Sequence, residues 1–139
     1  MKKILLIALT MLLSISAFAQ DELVQWSHKV EKVSKDEVKV VFTGRIARGY
    51  HTYTLFDETS ATEIMDAEVK GGELKDDVYA LSKAVKVGND YFYEGIISIA
   101  QNIKLTAKKG TYTGTIYCNV CNEGTCKSEY YDFEIPLSK

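Results

Sequence analysis

Three cysteines lie within the single stretch Cys118–Cys126, and the chain has no others. Thiols gathered this closely can pair as a disulfide, exchange with another protein's disulfide, or bind a metal. Cys121 and Cys126 flank Asn122-Glu123-Gly124-Thr125. That segment reads as a hairpin turn in which Gly124 can take positive φ. Residues flanking such a turn face each other across two antiparallel strands. A facing pair without mutual backbone hydrogen bonds has Cα atoms about 4.5 Å apart, at the short end of disulfide geometry. A Cys121–Cys126 bridge is therefore sterically reasonable.

Strand parity separates Cys118 from that pair. On an extended strand Ile116, Cys118 and Val120 share one face, while Tyr117, Asn119 and Cys121 share the other. The first set is apolar and reads as core, so Cys118 is expected to be a buried thiol packing as a small hydrophobe. The second set is mixed and is expected to be the more exposed. Two rival readings use Cys118 differently. A redox Cys118-x-x-Cys121 motif would need a helix start to lower the thiol pKa, and none is visible. A zinc site from the three cysteines plus His28 or His51 would need Cys118 to turn toward the others, against its parity. No metal or cofactor is expected.

Whether the bridge is a staple or a reactive pair is a question of magnitude. Closing a loop this short stabilises a fold by only about 2 kcal/mol in the chain-entropy treatment, and a staple for a whole domain does better joining distant strands. A tight local bridge is more readily strained, and strained exposed disulfides are the labile ones. Lys127, next to Cys126, would favour its thiolate. The residues alone leave both readings open.

The cysteines must be positioned by strands. Glu37 to Phe42 places Val38, Val40 and Phe42 on one face at period two. Further strands are expected over 24–33, 50–55, 78–87, 91–100, 103–107, 111–120 and 130–137. Turn signals stand at Arg48-Gly49, Gly71-Gly72, Gly88-Asn89-Asp90, Lys109-Gly110 and Asn122-Glu123-Gly124. A helical turn is expected within 57–65. About eight short antiparallel strands at this spacing imply an all-β sandwich or barrel.

The N-terminus reads as an export leader. Lys2 and Lys3 precede an apolar run from Ile4 to Leu13, and Ala17-Phe18-Ala19 has the small-residue pattern of a cleavage site. A signal peptide is expected over 1–19, cleaved near Ala19, leaving one domain over 20–139 that is not membrane-embedded. Removing Lys2 and Lys3 from 17 basic residues leaves 15 against 19 acidic ones, a formal charge of −4. That balance argues against a nucleic-acid partner, which calls for a basic patch. No nucleophile elbow or other hydrolase motif is present.

From Gln25 to Leu137 the chain resembles the N-terminal periplasmic domain of the thiol:disulfide interchange protein DsbD family. The carriers are Gln25-Trp26-Ser27, Gly49-Tyr50-His51-Thr52-Tyr53, Tyr91-Phe92-Tyr93-Glu94-Gly95 and, most specifically, Gly114 to Cys126 followed by Phe133 to Leu137. The resemblance implies an immunoglobulin-like antiparallel β-sandwich in the periplasm. It also implies a redox pair at Cys121 and Cys126, with Cys126 forming the mixed disulfide. His51 and Tyr53 match aromatic positions beside the pair, and a capping loop is expected between Lys83 and Asp90.

The implied function is thiol–disulfide exchange, passing reducing equivalents between a membrane reductant and periplasmic oxidoreductases. The implied partners are thioredoxin-fold oxidoreductases and a DsbD-like membrane electron transporter. The alternative is a non-redox immunoglobulin-like interaction module with a structural Cys121–Cys126 staple. Three departures stand against the pattern. Lys127-Ser128 replaces prolines after the second cysteine, Cys118 is an additional thiol, and no membrane or thioredoxin-like domain is expected with it. The electron source is therefore expected to be a separate membrane protein.

Overall fold

A computed structural model describes residues 22–139; the leader expected over 1–19 and its cleavage near Ala19 lie outside them. Ten strands follow one another: β1 (Val24–Lys32), β2 (Glu37–Ile46), β3 (His51–Tyr53), β4 (Glu63–Lys70), β5 (Gly72–Ala80), β6 (Val85–Val87), β7 (Asp90–Tyr93), β8 (Ile96–Leu105), β9 (Lys109–Cys121) and β10 (Cys126–Ser138). They form two antiparallel sheets. One has the order β1-β2-β8-β5; the other runs β10-β9-β3-β7-β6, with β4 also paired to β9. β4 takes β9 from Thr111 to Tyr117, and β3 takes Val120 and Cys121 farther along. The expected immunoglobulin-like sandwich is the observed fold.

Alternation builds the core. Val38, Val40 and Phe42 of β2 are buried as their period requires, and so are Ile116, Cys118 and Val120 of β9 and Phe133, Ile135 and Leu137 of β10. Between the sheets the Phe133 ring lies 4.7 Å from Phe42 and 4.8 Å from Tyr112, centroid to centroid. Each such side chain, fully buried, contributes about 1.5–3 kcal/mol. This apolar interior holds the long β9–β10 hairpin rigid, and the cysteines sit at its tip.

Several expected elements are divided differently. The strand expected over 78–87 is two, because the chain leaves one sheet after Ala80 and joins the other at Val85. The strand expected over 91–100 breaks at Glu94-Gly95, where Gly95 has φ +74° and the chain crosses back. Ile103 to Leu105 then continues β8 rather than starting a strand. In place of a helical turn over 57–65, the Asp57 carboxylate accepts the Thr59 and Ser60 N–H groups, and β4 begins at Glu63. An aspartate that bonds its own following backbone favours a turn over a helix.

Candidate functional site

The tip of the β9–β10 hairpin carries the disulfide. Cys121 and Cys126 are facing residues in the ladder, their Cα atoms 4.1 Å apart, and they are bonded through sulfur. That Cα distance marks a pair without mutual backbone hydrogen bonds; the next pair outward is bonded, with Asn122 N–H donating to the Thr125 carbonyl at 2.9 Å. Gly124 does not adopt the expected positive φ. The Asn122 Oδ1 instead accepts from the Gly124 and Thr125 N–H groups, each at 2.9 Å, and so closes the turn with a side chain.

The two cysteines differ in exposure. Cys126 is exposed, whereas Cys121 is 2% exposed. Parity alone had placed Cys121 on the more open face, beside the half-buried Tyr117 and Asn119. It does lie there, but neighbouring strands cover it. β3 puts His51 directly opposite Cys121, and the Tyr53 hydroxyl donates to the Cys121 Sγ at 3.7 Å. Phe92 of β7 packs its ring 4.2 Å from His51 and 5.2 Å from Tyr53, and His51 and Tyr53 meet edge to face at 5.6 Å. Register explains the cluster: Tyr53 pairs with Phe92, so both point to the face that carries His51 and the cysteines.

Tyr53 is held above the ordinary phenol pKa by burial and then by the negative charges of Asp57 and Asp90. It therefore keeps its proton and remains a donor toward sulfur near neutral pH. Cys118 stands on the opposite face, fully buried, and burial together with the Glu129 charge pushes its thiol from 9.0 up to about 12. It is an unreactive core residue. The fold thus places Cys118 and Cys121 on different faces, away from a Cys-x-x-Cys arrangement. Among the described residues no three His, Cys, Asp or Glu side chains gather as a metal would require.

Lys127 follows Cys126 but points to the other face of β10, where its ammonium lies 3.4 Å from the Glu129 carboxylate. That carboxylate also accepts the Leu23 and Val24 N–H groups, at 2.9 and 3.1 Å, tying β10 to the start of β1. The segment 83–90, expected to cap the cysteines, forms β6 and the turn into β7. The aromatic ring on His51 and Tyr53 comes from Phe92, just beyond it. In the sequence Phe92 lies within the segment Tyr91–Gly95 but carries no mark of a role at the site. Its signal was period two along Asp90–Tyr93, which puts Phe92 on the face opposite the buried Tyr93.

No family model and no curated protein matches the sequence. Solved structures do match the fold. The N-terminal periplasmic domain of ScsB from Proteus mirabilis aligns with a TM-score of 0.56 at 16% identity, over 85% of this chain and 48% of that one. This chain thus spans about half the length of that ScsB chain. The GAE domain of yeast GGA1 aligns with a TM-score of 0.51 at 15% identity, over 86% of this chain and 96% of that one. The N-terminal domain of Neisseria meningitidis DsbD in its reduced form aligns with a TM-score of 0.40 at 20% identity, over 88% of this chain and 90% of that one. A sandwich common to a bacterial periplasmic domain and a yeast GAE domain does not by itself select a chemistry. The chain shares its fold with part of the ScsB N-terminal periplasmic domain and with the yeast GAE domain, and it carries a cysteine pair at the tip of the β9–β10 hairpin.

Proposed function

We propose that this protein is a periplasmic thiol–disulfide exchange domain working through Cys121 and Cys126. The observation that carries the reading is the asymmetry of the pair: Cys126 is exposed at the head of β10, while Cys121 is sealed beneath its aromatic neighbours. Exchange needs one sulfur that a partner can reach and a second that only the first can reach.

In the reduced protein the Cys126 thiolate attacks a sulfur of the partner's disulfide, forming a mixed disulfide and expelling the partner's other sulfur as a thiolate. Cys121, losing its proton, then attacks the Cys126 sulfur. The Cys121–Cys126 bond forms, the partner leaves as a dithiol, and two electrons have passed to it. A reductant of the same dithiol class reverses the sequence. Tyr53 donates toward the Cys121 sulfur and so favours the thiolate that the second step requires. His51 and Tyr53 line the cysteine-bearing face beside the pair, whereas Lys127 is turned to the other face of β10 and paired with Glu129.

The leader read in the sequence, and a structural neighbour that is itself a periplasmic domain, support a periplasmic location. The partners that suit this chemistry are thioredoxin-fold oxidoreductases on one side and a DsbD-like membrane electron transporter on the other.

Cysteine variants test the reading. Cys121→Ala leaves Cys126 able to attack with nothing to resolve the product, so mixed disulfides accumulate on non-reducing gels after acid quenching. Cys126→Ala traps far less, and Cys118→Ala behaves like the parent. Equal absence of adducts in all three, with a native bridge that resists physiological reductants, would leave a stapled interaction module as the better account.

A further inference from the structure

Cys126 is the first residue of a strand that ends its sheet. β10 pairs with β9 on one side only, and among the described residues no backbone hydrogen bond reaches its other edge between Cys126 and Glu134. The ladder register says which groups face that edge. Cys121 and Cys126 form a non-hydrogen-bonded pair, so the pairs two and four residues along, Asn119 with Ser128 and Tyr117 with Tyr130, are of the same kind. The N–H and C=O groups of Cys126, Ser128 and Tyr130 therefore point outward.

The far part of the strand is protected. Exposed Asp132 and Glu134 stand on its outer face, and Pro136, of the same parity, offers the edge no N–H. Charge and proline are the usual guards of a sheet edge. The stretch 126–130 has no proline, and its two charges, Lys127 and Glu129, are turned to the inner face and paired with each other.

A groove runs along this stretch. It has a volume of 220 Å³ and lies between the start of β1, at Val24 and Trp26, and β10 from Lys127 to Tyr131. Trp26 and Tyr131 stack at 6.4 Å across it. The Lys127–Glu129 pair and the Glu129 bonds to Leu23 and Val24 fix its two walls. Unpaired backbone groups, an apolar stack and an exposed cysteine thus lie in line.

We propose that this edge binds the exchange partner by strand addition: an extended segment of the partner bordering its disulfide pairs with Cys126–Tyr130 and thereby brings that disulfide in line with the Cys126 sulfur. The inference rests on the exchange reading and specifies how that site recognises its substrate. The substrate class is a disulfide carried on an extendable backbone, in preference to a compact small-molecule disulfide. Main-chain bonds give such recognition tolerance for several partner sequences, with side-chain preference confined to the Trp26–Tyr131 contact.

Proline at Ser128 tests this with little cost to the fold, since the Ser128 N–H is outside the β9 ladder and Pro136 already occupies an equivalent position. The probes are a short extended peptide with one cysteine, and methanethiol, each joined as a disulfide to thionitrobenzoate. Their leaving group is the same. In the reduced mature Cys121→Ala protein, Cys126 should release thionitrobenzoate faster from the peptide than from the methyl probe. Ser128→Pro should slow the peptide reaction by about 2- to 10-fold, the range for one lost hydrogen bond, and leave the methyl reaction unchanged. Methylating the peptide amides that face the edge should slow it in the same way. In the peptide adduct the Ser128 and Tyr130 amides should become protected from hydrogen exchange, and the emission of Trp26, the chain's single tryptophan, should shift.

Equal rates for both probes, or a Ser128→Pro effect common to both, would overturn strand addition while leaving exchange chemistry intact. A Cys126 that reacts with neither probe would overturn both readings. Amide protection of Ser128 and Tyr130 in a concentration-dependent dimer without peptide would assign the edge to a second copy of the chain and overturn the partner assignment.

Discussion

At the scale of single residues, the contrast among the three thiols is a contrast of environment. Cys126 meets solvent, Cys121 meets aromatic rings and a phenol donor, and Cys118 meets only core. The buried thiol has a measurable consequence. Its folded-state pKa is raised from 9.0 to about 12, so in that interval the unfolded chain releases a proton that the folded chain retains. Stability from this group is complete below pH 9 and is lost as pH rises toward 12. Buried Tyr112, also raised by desolvation, adds to the loss at the top of the range. Denaturant unfolding from pH 8 to 12 should show stability falling, with a shallower fall in Cys118→Ala. Alkylation at pH 8 should leave Cys118 unmodified until the protein unfolds. The pairing of Cys121 with Cys126 and the isolation of Cys118 were legible from spacing and parity. The burial of Cys121 was not, because its cover comes from β3 and β7, residues far away in the chain.

Among the elements, the corners where the chain changes sheets carry much of the architecture. Lys70 ends β4 in one sheet and Gly72 begins β5 in the other, so Gly71 must turn the chain in a single residue. Its φ is +76°, and a Cβ there would lie 2.4 Å from the Lys109 carbonyl oxygen. Gly71→Ala therefore combines left-handed strain with a backbone clash and should cost about 2 kcal/mol or more, read from the midpoint of urea unfolding. The turn signal at Gly71-Gly72 was visible in the sequence, but β4 and the part of β5 before Val78 were not, because both strands are irregular, β4 shifting register between Met65 and Glu68. The β5 register shifts between Lys75 and Tyr79, and the buried Gln101 amide donates to the Lys75 and Asp76 carbonyls there. A strand interrupted in this way has no clean period two to read.

For the molecule as a whole, the disulfide is peripheral to stability. The core lies between the sheets around Phe42, Tyr112 and Phe133, and the bridge closes a loop at one end. Replacing both Cys121 and Cys126 with Ser should lower unfolding free energy by no more than about 2 kcal/mol, the chain-entropy value for so short a loop. Chemical denaturation of the double variant beside the oxidised parent measures it. A variant that no longer folds would identify the bridge as a structural staple. A fold that stands without its disulfide would leave that bond free to open and close in the proposed exchange.

The sequence by itself determined the class of fold, the partition of the cysteines and the two ends of the hairpin that joins them. These depend on neighbours in the chain: period two decides which face each residue takes, and Asn122 to Thr125 turn the strand within their own bonds. Only the tertiary structure decided which sulfur is sheltered and which is reached. Strand order set His51 against Cys121, brought Phe92 over His51, and left β10 at the edge with β1 alongside. Each is a contact between segments well separated in sequence. Side-chain periodicity records which face of a strand is apolar, but it carries no record of which strand lies next to it.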